Sequence, residues 1–100
     1  MRFVVLCSLL AAAPAFGDDL VARRGDDSIR LSADQPCKSE SVLGRLAPQV
    51  HGSFRAASAV VSGKTYAACW RATGDRVYLM YEDGDEGLVP VRQLRPELSV

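Results

Sequence analysis

The sequence predicts an α+β fold, namely a small antiparallel β-meander of three or four strands with one short N-terminal helix. After residue 53, apolar and polar residues alternate in short segments separated by glycine-containing turns, which is typical of antiparallel strands. Before these segments, Val42, Leu43 and Leu46 have the spacing of one helical face. A chain of 100 residues allows one domain, whose small core needs a covalent staple.

The segment of residues 1–17 has the composition of a signal peptide. Arg2 precedes an apolar stretch, and cleavage after Ala15 or Gly17 fits the small-residue pattern that signal peptidase requires. The apolar stretch is shorter than the roughly 18–20 residues that span a bilayer. We therefore expect export, with no stable membrane insertion after cleavage.

The rest of the chain is interpreted as a leader and one domain. Residues 18–28 are polar, so we expect a flexible leader ahead of a single domain over residues 29–98. Ser39 or Ser41 can cap the helix, and Pro48 limits it to about two turns. The expected strands cover residues 28–32, 54–61, 64–72, 76–81 and 87–91, and a helical turn at residues 91–94 closes the domain.

The two cysteines left after removal of residues 1–17 are Cys37 and Cys69. An oxidising compartment would pair them, and closing a loop of this length stabilises a domain by roughly 3–4 kcal/mol. Two free, buried thiols are the alternative. A redox pair is not expected, because the two cysteines lack the C-x-x-C spacing.

Three aromatic residues, Tyr66, Trp70 and Tyr78, are the candidate binding residues. In a strand, Tyr66 and Trp70 share one face and Cys69 lies on the other. The disulfide would place the helix and the core on the Cys69 face, so Tyr66 and Trp70 would point away from it. Tyrosine and tryptophan on a rigid sheet are good anchors for a protein or a sugar. The alternative is that they pack in a second, smaller core.

The acidic turn before the last strand is the second candidate. Asp83, Asp85 and Glu86 lie in it, and we expect contact with a basic partner there or a solvated turn. The turn is too short for an EF-hand loop, so no metal site is predicted. His51 lies in a predicted loop without an evident partner, and no catalytic constellation or cofactor motif is present, so we expect no enzyme activity.

Several blocks of the sequence resemble a known group of proteins. Pro36-Cys37, Tyr66-Ala67-Ala68-Cys69-Trp70, and the segments 81–85 and 87–90 resemble short exported proteins of proteobacteria and their prophages. This resemblance implies a location in the cell envelope and indicates no site. The Gly-Leu-Val-Pro segment followed by a helical turn is also similar to small SH3-like barrels, which are the alternative fold.

These observations predict a periplasmic or secreted, non-enzymatic binding module, monomeric and possessing no cofactor. Its expected partner is an envelope protein or a cell-wall component. Nucleic acid is not expected, because the 12 basic side chains form no stripe and are balanced by 12 acidic ones. The alternative is a structural component of the envelope that self-associates through the edge strand at residues 87–91.

Overall fold

The computed structural model describes residues 18–97, which form one curled antiparallel sheet of seven strands, a half-barrel. The strands are β1 (Leu20–Arg24), β2 (Asp27–Pro36), β3 (Arg55–Val61), β4 (Lys64–Thr73), β5 (Arg76–Tyr81), β6 (Glu86–Pro90) and β7 (Arg95–Pro96). They lie side by side in the order β6-β5-β4-β3-β2-β1-β7. One α-helical turn, α1 (Glu40–Leu43), and two 3-10 turns, Pro48–Ser53 and Val91–Gln93, lie between strands.

The fold is mostly β, so the prediction of an α+β meander with three or four strands is only partly correct. The antiparallel hairpins from β3 to β6 are present as expected. The sheet is larger because β1, a long β2 and the short β7 extend it beyond β3. The predicted signal peptide, residues 1–17, lies outside the described residues. Within residues 18–97, no helix is long and apolar enough to span a bilayer.

Residues 18–28 were expected to form a flexible leader, but Leu20–Arg24 within them form strand β1, so the expectation is wrong for these residues. This strand pairs along its whole length with β2, and Leu20 and Val21 also pair with β7. Val21 is buried, while Leu20 and Ala22 pack against the core. The strand forms despite its charged neighbours because a turn with Gly25 at φ 60° returns the chain directly onto β2.

An irregular stretch of β2 is paired partly by side chains from other segments. The ladder with β3 is interrupted between Leu31 and Pro36, so the backbone groups there need other partners. The N–H of Ala33 donates to the Asp19 carboxylate (3.1 Å). The carbonyl of Ser32 accepts from the indole N–H of Trp70 (3.0 Å).

The main core lies on the inner, concave side of the half-barrel. Its buried side chains come from segments that are far apart in the sequence, namely Leu31, Ala68, Val77, Leu79, Val89 and Leu94. Ala68 and Trp70 share this face, so the prediction that the core lies on the Cys69 face is wrong for its larger part. The curl of the sheet brings apolar residues of β1, β2 and β6 over the inner face, and period-two alternation alone does not show this.

A smaller cluster lies on the outer face, where the Cys37–Cys69 disulfide joins the start of α1 to β4, as predicted. Ser39 caps α1, because its hydroxyl accepts the N–H of Val42 (3.2 Å). The helix is shorter than expected, since the chain turns before Pro48. The cluster contains Cys37, Val42, Phe54, Cys69 and Met80, with Leu43, Leu46, Val50 and Tyr78 packed against it.

His51 stabilises the end of α1 and is not a loop residue without a partner. Its Nε2 lies 2.8 Å from the carbonyl oxygen of Leu43 and 3.1 Å from that of Leu46. Carbonyls at the end of a helix have no partner within it, so an imidazole N–H at this place satisfies them.

Candidate functional site

The three candidate aromatic residues do not form one surface. The register pairs Trp70 with Leu79 and Arg71 with Tyr78, so Tyr78 and Trp70 lie on opposite faces of the sheet. Tyr78 packs on the disulfide cluster, with its ring centroid 6.2 Å from that of Phe54 in an edge-to-face arrangement. The predicted Tyr66, Trp70 and Tyr78 surface is therefore divided between the inner and the outer face.

Trp70 and Tyr66 remain on the same, inner face, and both are half-buried. Trp70 packs against the inner core and donates its indole N–H to the Ser32 carbonyl. This hydrogen bond fixes the ring in one orientation, so much of the Trp70 side chain is packing, as in the alternative, although the core that it joins is the main one.

Trp70 also lines an open cleft at the end of the sheet. The cleft has a volume of about 510 Å³ and lies between the 3-10 turn after α1, the start of β3 and the end of β4. Arg55 is directly opposite Trp70 in the β3–β4 register. The cleft is lined by Gln49, Val50, Ser53, Arg55, Trp70, Arg71 and Ala72; we call it the Trp70 cleft.

The charge of the Trp70 cleft comes from two exposed guanidinium groups, those of Arg55 and Arg71. Within residues 18–97 the ion pairs involve Arg30, which contacts Asp19 and Glu97, so neither cleft arginine has a carboxylate partner there. The Arg71 guanidinium lies 5.8 Å from the centre of the Phe54 ring, which supports its position. By the alternation along β4, the Arg71 side chain lies on the outer face with Phe54, while Arg55 lies on the inner face across from Trp70, so the cleft is lined from both faces at this end of the sheet. Its guanidinium groups favour an anionic ligand, and the Trp70 indole favours one with an apolar or sugar face.

Sequence reasoning missed both arginines, although one signal was present. A two-residue turn at Ser62-Gly63 fixes the pairing of β3 and β4, and counting outward from it pairs residue 55 with residue 70. This register places Arg55 across from Trp70, on the face opposite to that of Arg71. The 3-10 turn that completes the cleft has no comparable signal in the sequence.

The acidic turn is held by its own hydrogen bonds. The carboxylate of Asp83 accepts the N–H of Asp85 (2.9 Å), and Gly84 adopts a φ of 99° that favours glycine. The guanidinium of Arg45 donates to the carbonyls of Tyr81 and Glu82. Within residues 18–97, no three His, Cys, Asp or Glu side chains are grouped as metal ligands.

Two tyrosines near this turn have altered acidity. Burial raises the pKa of Tyr78, and the hydrogen bond and charge of Glu86 raise it further, while the charge of Arg45 opposes them. Burial also raises the pKa of Tyr81, with smaller contributions from Asp83 and Asp85. Both phenols therefore lose their protons at a higher pH than an ordinary tyrosine does.

No protein-family model, no curated protein and no solved structure matches this chain. The functional interpretation therefore rests on the geometry of the described residues. The Cys37–Cys69 disulfide is consistent with an oxidising, extracytoplasmic location.

Proposed function

We propose that this protein is an exported, non-enzymatic binding module of the bacterial periplasm that recognises an anionic envelope component through the Trp70 cleft. The observation that supports this function is that two arginines line the cleft without carboxylate partners in residues 18–97, Arg55 across from Trp70 and Arg71 on the opposite face of β4. An arginine fork binds carboxylates and phosphates with two parallel hydrogen bonds.

The other lining residues fit recognition better than catalysis. The Gln49 amide offers both a donor and an acceptor, and the Trp70 indole offers apolar surface. The hydroxyl of Ser53 donates to the Val50 carbonyl (2.8 Å), and none of the lining residues is a histidine, a carboxylic acid or a cysteine. Ser53 thus has no base beside it that would make it a nucleophile.

The periplasmic location is supported by two independent features. Residues 1–17 have the pattern of a signal peptide, and the disulfide requires oxidising conditions to form. Cell-wall polymers and envelope proteins both carry carboxylates in this compartment, and they are the two partner classes that we propose for the cleft.

A retention assay with an envelope extract tests this function. The oxidised protein is immobilised, and isolated cell-wall sacculi and soluble envelope proteins are applied separately. The informative variant is Arg55→Ala/Arg71→Ala, because both side chains are exposed and neither lies in the core. Trp70→Ala is a poorer test, since it also removes the hydrogen bond to Ser32.

The control is Arg24→Ala/Lys64→Ala, which removes the same charge from exposed positions at the opposite end of the sheet. We expect the unaltered protein and this control to retain one of the two fractions, and the Arg55/Arg71 variant to lose it. Equal retention by the Arg55/Arg71 variant, or no retention of either fraction by the unaltered protein, would refute the proposed role of the cleft.

A further inference from the structure

Within residues 18–97, β6 is the terminal strand at one edge of the half-barrel and its ladder partner is β5. Leu88 and Val89 face residues of β1 and β2 across an open cleft of about 290 Å³. Leu88, in the middle of this strand, is 56% exposed, and Val91, directly after it, is 44% exposed. A sheet edge with unpaired backbone groups and exposed apolar side chains is a template for another strand.

Two hydrogen bonds fix the pattern of the β5–β6 ladder. The N–H of Tyr81 donates to the carbonyl of Asp85 (2.8 Å), and the N–H of Val91 donates to the carbonyl of Asp75 (2.9 Å). Both pairs continue the register of the two strands. In an antiparallel ladder, hydrogen-bonded pairs alternate with non-hydrogen-bonded pairs, so every second residue of β6 bonds to β5.

The alternation assigns the backbone groups of β6 to two sides. The N–H and carbonyl groups of Gly87 and Val89 point toward β5 and form hydrogen bonds with it. Glu86, Leu88 and Pro90 present theirs away from the sheet. Since proline has no N–H, the outward donors of the strand are those of Glu86 and Leu88.

The two ends of β6 differ in net charge, although Arg45 lies at the acidic turn and Asp75 lies in the cleft with Arg76. The turn from Glu82 to Glu86 brings four carboxylates to the start of the strand. At the other end Arg76 and Arg92 line a shallow cleft of about 240 Å³. The residues around this cleft are Asp75, Arg76, Leu88, Pro90 and Arg92.

We propose that a second copy of this chain pairs with β6 in an antiparallel manner, about a two-fold axis through Leu88. The two Leu88 residues then exchange both of their backbone hydrogen bonds and pack against each other. The N–H of Glu86 donates to the carbonyl of the partner's Pro90, and the same bond forms reciprocally. Every outward N–H of the strand thus finds an acceptor, while the carbonyl of Glu86, opposite the partner's Pro90, gains no donor from the partner strand.

The charges at the two ends of β6 favour a second copy of the chain as the partner and favour antiparallel over parallel pairing. Antiparallel pairing brings the acidic turn of each copy to Arg76 and Arg92 of the other, whereas parallel pairing would bring the two acidic turns together. The contact is isologous and closes at two copies, which stops further growth along the edge. The proposed dimer differs from the monomer expected from the sequence. Its interface shares no lining residue with the Trp70 cleft, so it does not depend on the proposed binding function.

Sedimentation equilibrium of the oxidised protein, produced from the full-length gene, tests this pairing. We expect a concentration-dependent mass that approaches twice that of one chain. Leu88→Lys places two ammonium groups across the axis and should weaken association on the order of 100-fold. Thr65→Lys, an exposed position on β4, is the matched control and should leave association unchanged.

A charge exchange distinguishes the antiparallel register from other modes. Glu86→Arg and Arg92→Glu should each weaken the dimer, and the double variant should restore it, because each new charge then meets its opposite across the axis. A single-chain mass at every concentration would overturn the proposal. So would a dimer that tolerates Leu88→Lys, a dimer that the double variant fails to restore, or association that occurs only with an extended segment of another protein.

Discussion

Removal of the disulfide should destabilise the domain by an amount that follows from its geometry. The bond joins two residues that are 32 positions apart in the sequence, with a Cα–Cα distance of 5.5 Å. It therefore closes a chain loop that contains α1, β3 and the first half of β4. The chain-entropy relation for a loop of this length gives roughly 3–4 kcal/mol. Cys69 is 1% exposed and Cys37 8%, so the variant Cys37→Ala/Cys69→Ala loses about 1 kcal/mol more through poorer packing.

The measurement is the free energy of unfolding from urea titration, followed by the emission of Trp70, the one tryptophan in the sequence. A small domain has only about 5–10 kcal/mol of stability, so the double variant should be close to its unfolding threshold. Its midpoint of thermal unfolding should fall by roughly 15–30 °C.

Two comparisons make this prediction specific. Reduction of the unaltered protein should reproduce the loss seen in the double variant, apart from the packing contribution. Ala67→Ser, at an exposed position of β4, serves as the control, because it leaves the bond and both cores in place. If the double variant is destabilised no more than Ala67→Ser, the disulfide does not stabilise this fold.

Three further predictions follow from the described contacts. Deletion of residues 18–26 should strongly lower the free energy of unfolding, since it removes β1; an unchanged value would restore the flexible-leader interpretation. His51→Ala should cost about 1 kcal/mol in urea titration, because the carbonyl of Leu43 loses its partner, while a neutral result would make that contact unimportant. Glu86→Gln should lower the pKa of Tyr78 in an ultraviolet absorbance titration. Because folding raises the pKa of Tyr78 above 10.0, the contribution of Tyr78 to the free energy of unfolding is complete below pH 10 and is lost as the pH rises through the folded-state pKa. Glu86→Gln should make this pH-dependent loss of stability smaller. A Tyr78 titration that Glu86→Gln leaves unaltered would exclude the Glu86 contact.

The features that the sequence predicted correctly are encoded locally. The strands from β3 to β6 follow from period-two alternation and from turns such as Ser62-Gly63, and the cap of α1 follows from Ser39. The pairing of Cys37 with Cys69 follows because no other cysteine remains after residue 17. In each case the feature can be predicted from a few neighbouring residues or from the number of cysteines.

The features that the sequence did not predict depend on contacts between distant segments. The strand β1 is short and flanked by charges, and it is stabilised by β2, β7 and the inner core. The prediction that Trp70 faces away from the core is wrong, because alternation along one strand does not show how the sheet curls. The Trp70 cleft needs a 3-10 turn that precedes β3, and its position relative to β4 is a tertiary property.

The most direct test of the proposed function is a titration of the oxidised protein with soluble peptidoglycan fragments, followed by the emission of Trp70. Because no other tryptophan is present, the signal comes from the cleft itself. The proposal predicts a saturable change in emission that is lost in Arg55→Ala/Arg71→Ala and kept in Arg24→Ala/Lys64→Ala. Unchanged emission with these fragments and with the retained envelope proteins, or an equal change in the Arg55/Arg71 variant, would contradict it.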